Sequence, residues 1–143
     1  MASFVKVNDF VEHLAEQTHD LANDTLEVAL SNTAPGSETS NPLNDGNGVL
    51  TNVTQISYTN LSSRVITTNS SSQTGGTYSL VLNDLVLTAS GAVDTFRYVY
   101  IFNQDATSPA DALIAHYDYG SAVTLADQET FTIDFGTELF TLS

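Results

Sequence analysis

The stretch Asp94-Thr95-Phe96-Arg97-Tyr98-Val99-Tyr100-Ile101-Phe102-Asn103 decides how this chain folds. Its residues alternate with a period of two. Phe96, Tyr98, Tyr100 and Phe102 fall on one face of a β-strand, and Arg97, Val99 and Ile101 on the other. Both faces are mostly apolar or aromatic, so this strand belongs in the middle of a sheet with material packed above and below it.

The same period extends in both directions. Residues 77–89 (TYSLVLNDLVLTA) set Tyr78, Leu80 and Leu82 on one face, and the pattern slips at Asn83-Asp84, which predicts a bulge or a break into two strands. Further upstream, 53–58 reads as a short strand, 64–69 (RVITTN) as a strand and 70–76 (SSSQTGG) as a turn. Downstream, 104–110 is a loop and 113–119 a strand. Segments 122–125 and 129–135 flank a turn at Asp127-Gln128, with Phe131, Ile133 and Phe135 inward, and 138–142 closes the chain. Residues 25–31 (TLEVALS) form the first strand, with Leu26, Val28 and Leu30 on one face.

Ahead of that strand the period changes. Val7, Phe10, Val11, Leu14, Thr18 and Leu21 recur at spacings of three and four, which predicts a helix over 7–22. Asn8 is placed to cap its first turn, Asp9 and Glu12 put negative charge near the positive end of the dipole, and Asn23 is a plausible stop. Residues 34–49 (APGSETSNPLNDGNGV) combine Pro, Gly, Ser and Asn. They read as a long surface loop and a candidate contact arm. Short strands at this spacing predict a mainly β fold. The expectation is a single β-sandwich domain over 1–143, jelly-roll-like or Ig-like, with one N-terminal α-helix at 7–22 and the sandwich at 25–143.

Composition narrows the function classes. The chain of 143 residues carries 17 acids against 3 bases, a formal net charge of −14. Lys6, Arg64 and Arg97 are its only bases, too few to neutralise phosphates, so neither nucleic acid nor an anionic membrane is an expected partner. With no cysteine there is no disulfide framework, thiolate metal site or thiol nucleophile. The start MASFVKVNDFVEH breaks its apolar run at Asn8-Asp9, shorter than a signal-peptide core, and no stretch approaches the ~18 apolar residues of a membrane span.

Candidate chemistry is sparse. His13 and His19 are six apart, about 600° around a helix, so they are expected on different faces, as surface or flank residues. His116 and Asp118 share a strand face, which suits a hydrogen-bonded couple or, with a third ligand, a divalent ion. Asn44-Asp45-Gly46-Asn47-Gly48 resembles half a calcium loop. Counting from Asp45, however, Ile56 stands where an EF-hand needs its bidentate Glu, so a tight turn is the expectation. No serine sits in a G-x-S-x-G elbow, and there is no phosphate-binding glycine motif. The aromatic row of Phe96, Tyr98, Tyr100 and Phe102 is expected to pack a core, with a glycan-binding platform as the alternative. No catalytic, cofactor-binding or metal-binding residues are assigned, and no enzyme activity is expected.

The segments MASFVKVNDFVEHLAEQTHDL, DTLEVALSNTAP, SSQTGGTYSLVLNDLVLTASG, FRYVYIFN and DYGSAVTLADQETFTIDF resemble a family of small virion structural proteins of tailed bacteriophages. The likeness covers nearly the whole chain and is weakest at 36–64. The resemblance implies a capsid decoration (cement) protein that binds the outer surface of the mature head and staples major capsid subunits, waiting in the host cytoplasm before assembly. A tail structural component or a surface glycan-binding module is the alternative. The implied partners are the major capsid protein and further copies of the chain, as a trimer or a dimer. Contact residues are expected at Phe4 and Val5, ahead of the helix, and at Pro35, Pro42 and Leu43 in the long loop.

Overall fold

Alternating β-branched and aromatic residues build ten strands and one short helix in the computed structural model, which describes residues 2–143. In chain order these are β1 (Val5–Lys6), α1 (Phe10–Ala15), β2 (Leu26–Ser31), β3 (Val65–Ile66), β4 (Thr68–Thr74), β5 (Thr77–Leu82), β6 (Leu85–Thr88), β7 (Phe96–Asn103), β8 (Leu113–Val123), β9 (Thr130–Ile133) and β10 (Phe140–Leu142). All pairings are antiparallel. A five-stranded sheet runs β1-β8-β7-β2-β3, a three-stranded sheet runs β10-β5-β4, and β6 pairs with β9. The fold is mainly β and sandwich-like, as the alternation predicts.

Strand β7 lies at the centre of the large sheet, with Val28 opposite Ile101, Leu30 opposite Val99 and Tyr100 opposite His116. One face of that sheet packs on the smaller sheets. Val28, Leu30, Val99 and Ile101 share a buried cluster with Leu80, Leu82, Leu87 and Ile133. The other face carries Ala29, Tyr98, Tyr100, Phe102 and Leu113, and it is roofed by the segment that holds Ala34, Leu43, Leu50 and Val53. Each fully buried Leu or Ile side chain contributes roughly 1.5–3 kcal/mol through loss of apolar surface to water.

The structure departs from the sequence reading at definite places. Phe96 does not join the face of Tyr98, Tyr100 and Phe102. It packs in the opposite cluster, edge-on to Phe131 at 5.2 Å between ring centroids. The register shifts here: Phe96 pairs with Val123 but Tyr98 with Asp118, so five steps of β8 bulge against two of β7, and the alternation of β7 itself breaks between Phe96 and Tyr98. Segments 113–119 and 122–125, expected as separate strands, are one strand, β8, carried through that bulge by Gly120 at φ +94°. Residues 70–74, expected as a turn, belong to β4, and only Gly75-Gly76 turn the chain. No strand forms over 53–58; a single backbone bond from Ile56 N–H to the Leu30 carbonyl lays that segment along β2. The break at Asn83-Asp84 does separate two strands, β5 and β6.

The helix is the largest correction. It spans six residues instead of the 7–22 expected. Val7 lies outside it and donates its N–H to the Ile114 carbonyl at 3.0 Å, continuing from β1. The C-terminal end is a Schellman motif. Thr18 N–H reaches the His13 carbonyl at 2.8 Å, Gln17 N–H reaches Leu14 at 3.4 Å, and Gln17 sits at φ +66°. Glycine usually fills that left-handed position, because a Cβ there costs roughly 1–2 kcal/mol. Gln17→Gly therefore raises stability by about 0.5–1 kcal/mol in urea unfolding, after the extra unfolded-state entropy of glycine is counted. The β-branched Gln17→Val lowers it by at least as much.

Candidate contact surface

Apart from a single 3-10 turn at Pro35–Ser37, the segment 34–49 makes no regular structure, yet it is held at both ends and in the middle. Asp9 stands at the N-cap position of α1 but makes no side-chain cap. Its carboxylate instead accepts the backbone N–H of Gly46 at 2.9 Å and of Gly48 at 2.8 Å. Asn8, expected as the helix cap, donates its side-chain amide to the Asp45 carboxylate at 3.0 Å. Glu38 accepts both the N–H and the hydroxyl of Thr54, each at 2.7 Å. The segment then joins the large sheet. Leu113 N–H bonds the Gly48 carbonyl at 2.9 Å, Leu50 N–H bonds Asp111 at 3.1 Å, and Val49 bridges Ala112. Gly48 is required where it stands: a Cβ would lie 2.9 Å from Asp9 Oδ2 and 3.0 Å from Val7 Cγ1.

This roof decides where the expected contact residues go. Pro35 and Pro42 are buried within the fold and Leu43 is half-buried against the Tyr98–Tyr100–Phe102 face. Phe4 is half-buried, edge-on to Tyr117 at 6.1 Å. Of the five, only Val5, at 42% exposure on the edge strand β1, presents its side chain outward. The aromatic row is likewise covered: Tyr98, Tyr100 and Phe102 are 8%, 0% and 4% exposed, so their rings offer no platform to a sugar. Burial pushes the Tyr100 phenol well above its ordinary pKa, and that hydroxyl has no hydrogen-bond partner.

What the docked roof creates is a groove of ≈ 520 Å³ beside α1. It is lined by Val11, Val49 and Pro109 among Asn8, Glu12 and Asp45. Val11, expected to face inward on a long helix, is 52% exposed here because the short helix turns it out. The groove offers aliphatic surface rimmed by carboxylates. The bases do little to offset this acidity, because two of the three are engaged within the chain. Arg97 makes a two-point pair with Asp118 at 2.7 and 3.0 Å, which holds that carboxyl below its usual range. Arg64 pairs with Glu27 at 3.0 Å, donates to the Val28 carbonyl and lies 3.6 Å over the Tyr58 ring.

The histidines fall differently from expectation. His116 stacks near Tyr100 at 5.6 Å, and burial lowers its pKa although Asp118 opposes that; Asp118 spends its hydrogen bonds on Arg97 and Gly120. Among the described residues no three His, Asp or Glu side chains are grouped to hold a metal. His13 and His19 do not diverge. The turn at Gln17 folds His19 back to 6.1 Å from His13 and 5.3 Å from Phe10, and His19 is buried. Asn103 Oδ1 accepts the N–H groups of Asp105 and Ala106, which fixes the amide so that Nδ2 faces His19 Nδ1 at 3.0 Å. His19 Nδ1 is then an acceptor and the ring is neutral. Burial first, and then His13, push its pKa down to about 4, against a smaller upward pull from Asp24.

Comparison of the chain with protein-family models, curated proteins and solved structures finds no match.

Two outcomes follow from this geometry. Asp9→Ala strands the buried N–H of Gly48 and the part-buried N–H of Gly46, and lowers stability by about 2–3 kcal/mol in urea unfolding; Asp9→Asn, keeping one acceptor oxygen, loses about half as much. His19 stays neutral in the fold down to about pH 4, whereas in the unfolded chain it takes a proton near 6.5. Stability therefore falls as pH drops from 6.5 to 4, and His19→Gln flattens that slope by up to ~1.4 kcal/mol per pH unit in pH-dependent unfolding.

Proposed function

We propose that this chain is a structural protein of a tailed-bacteriophage virion and not an enzyme. In this reading it is a head decoration protein that seats its roofed face on major capsid subunits at the outer surface of the mature head. The observation that carries this reading is the preformed groove of Val11, Val49 and Pro109 rimmed by Glu12 and Asp45, held open by the Asp9 bonds to Gly46 and Gly48. A surface already ordered before contact loses little conformational entropy on docking. Its chemistry fits a partner segment that places an aliphatic side chain beside Lys or Arg, and the net charge of −14 speeds encounter with such a segment. One groove is smaller than the roughly 1,200–2,000 Å² a specific interface buries, so exposed Val5 and repeated engagement by several copies supply the rest. The acidic charge also keeps the unassembled protein from aggregating in the host cytoplasm and away from nucleic acid.

The test is binding to expanded heads of the encoding phage that lack this protein. Wild type is expected to fill its sites, with affinity that drops as salt rises. Val11→Asp combined with Asp45→Lys is expected to weaken binding by at least ~10-fold, which corresponds to ~1.4 kcal/mol, while lowering stability by no more than the ~1 kcal/mol of the exposed Asn8–Asp45 hydrogen bond. Labelled protein found on tails and absent from heads would replace the decoration role with a tail role. Full head occupancy by the double variant would remove the groove from the contact.

A further inference from the structure

The other face of the chain's chemistry lies at β4. Residues 65–83 carry no charged side chain, in a protein whose formal charge is −14. Within this neutral stretch β4 is the edge of its sheet, in the order β10-β5-β4, and at seven residues it is the longest edge strand in the fold. The other edges are only two to four residues long. Five of the seven β4 residues are exposed and the other two half-buried. Proteins blunt such an edge with Lys, Pro, inward charge or a mid-strand bulge. Here the single register shift, between Thr68 and Ser70, comes at the start and leaves Ser70 to Thr74 regular.

The register says which backbone groups face outward. Gly75 and Gly76, at φ +59° and +87°, make a two-residue I′-type turn closed by the Thr74–Thr77 pair. Alternation from that closing pair directs Ser70, Ser72 and Thr74 toward β5, and leaves the N–H and C=O of Ser71 and Gln73 pointing away from the sheet.

We propose that a second copy of this chain pairs here, β4 against β4 in antiparallel register about a two-fold axis at Ser72. Ser71 of each copy then stands opposite Gln73 of the other, and each such pair exchanges both backbone hydrogen bonds. The outcome is one continuous sheet in the order β10-β5-β4-β4-β5-β10. The occupant is a second copy because the neutral hairpin is where two strongly acidic chains meet with the least repulsion. Across the seam Ser72 also meets Ser72 of the other copy and Ser70 meets Thr74, short side chains that pair without crowding. This seam does not rest on the capsid reading, since it forms in the isolated protein and lies in a different part of the chain from the groove beside α1.

The experiment uses the full chain in solution. Sedimentation equilibrium is expected to show a monomer–dimer equilibrium. Ser71→Pro, which removes an outward N–H without touching the β5 ladder, is expected to weaken dimerisation by at least ~10-fold. Ser71→Ala controls for loss of the hydroxyl contact to Tyr78 at 2.8 Å and is expected to dimerise like wild type. In this cysteine-free chain, Ser72→Cys is expected to oxidise to a covalent dimer, because residues on the axis bring their Cα atoms within disulfide range; Val86→Cys, also exposed but far from the axis in the register, is expected to form no covalent dimer. A wild-type protein that remains monomeric up to about 1 mM overturns the seam. So does a dimer or trimer that Ser71→Pro leaves intact, or Ser72→Cys oxidation no faster than that of Val86→Cys.

Discussion

A single carboxylate holds together what a central apolar strand requires. Strand β7 is buried on both faces, so the large sheet needs two covering layers. The smaller sheets provide one. The other is an irregular segment with no ladder of its own over most of its length, and Asp9 fixes it by accepting the N–H groups of Gly46 and Gly48. Buried backbone donors must find acceptors. Asp9 meets that need from a position that would otherwise cap a helix, which is why α1 goes without a side-chain cap and Gly48 has no room for a Cβ.

Much of the fold was legible because burial imposes a period. The alternation in 96–103, the inward set of Leu26, Val28 and Leu30, and the slip at Asn83-Asp84 each correspond to an observed element or boundary. The failures share one physical origin: the deciding contact is remote in sequence or carries no apolar signature. A helical spacing over 7–22 looked continuous because Gln17, not glycine, occupies the left-handed stop. Residues 70–74 looked like a turn because an exposed edge strand of Ser and Gln has no hydrophobic side to alternate. Phe96 changed faces because the alternation of β7 breaks between Phe96 and Tyr98, where the register with β8 shifts, and that break carries no apolar signature.

The surface features were less legible for the same reason. The 34–49 segment was recognisable as long and turn-rich, but its docking depends on residues 37 and 39 positions away. That docking buries Pro35 and Pro42 and, through the shortened helix, brings out Val11 beside Asp45. His19 is the parallel case. Six residues from His13 it seemed to belong to another face, yet the turn at Gln17 sets the two rings edge-on to each other and Asn103 holds His19 in its neutral form. The molecule thus divides its chemistry between an acidic, preformed groove beside α1 and an uncharged hairpin edge at β4.

The roof is part of the folded protein before any partner arrives. Native-state hydrogen exchange on the isolated chain addresses this directly. The Gly46 and Gly48 amides held by Asp9, and the Leu113 amide bonded to Gly48, are expected to exchange in the same slow class as the β7 ladder amides. Exchange of these amides at the rate of an unstructured loop, with β7 still protected, would contradict it.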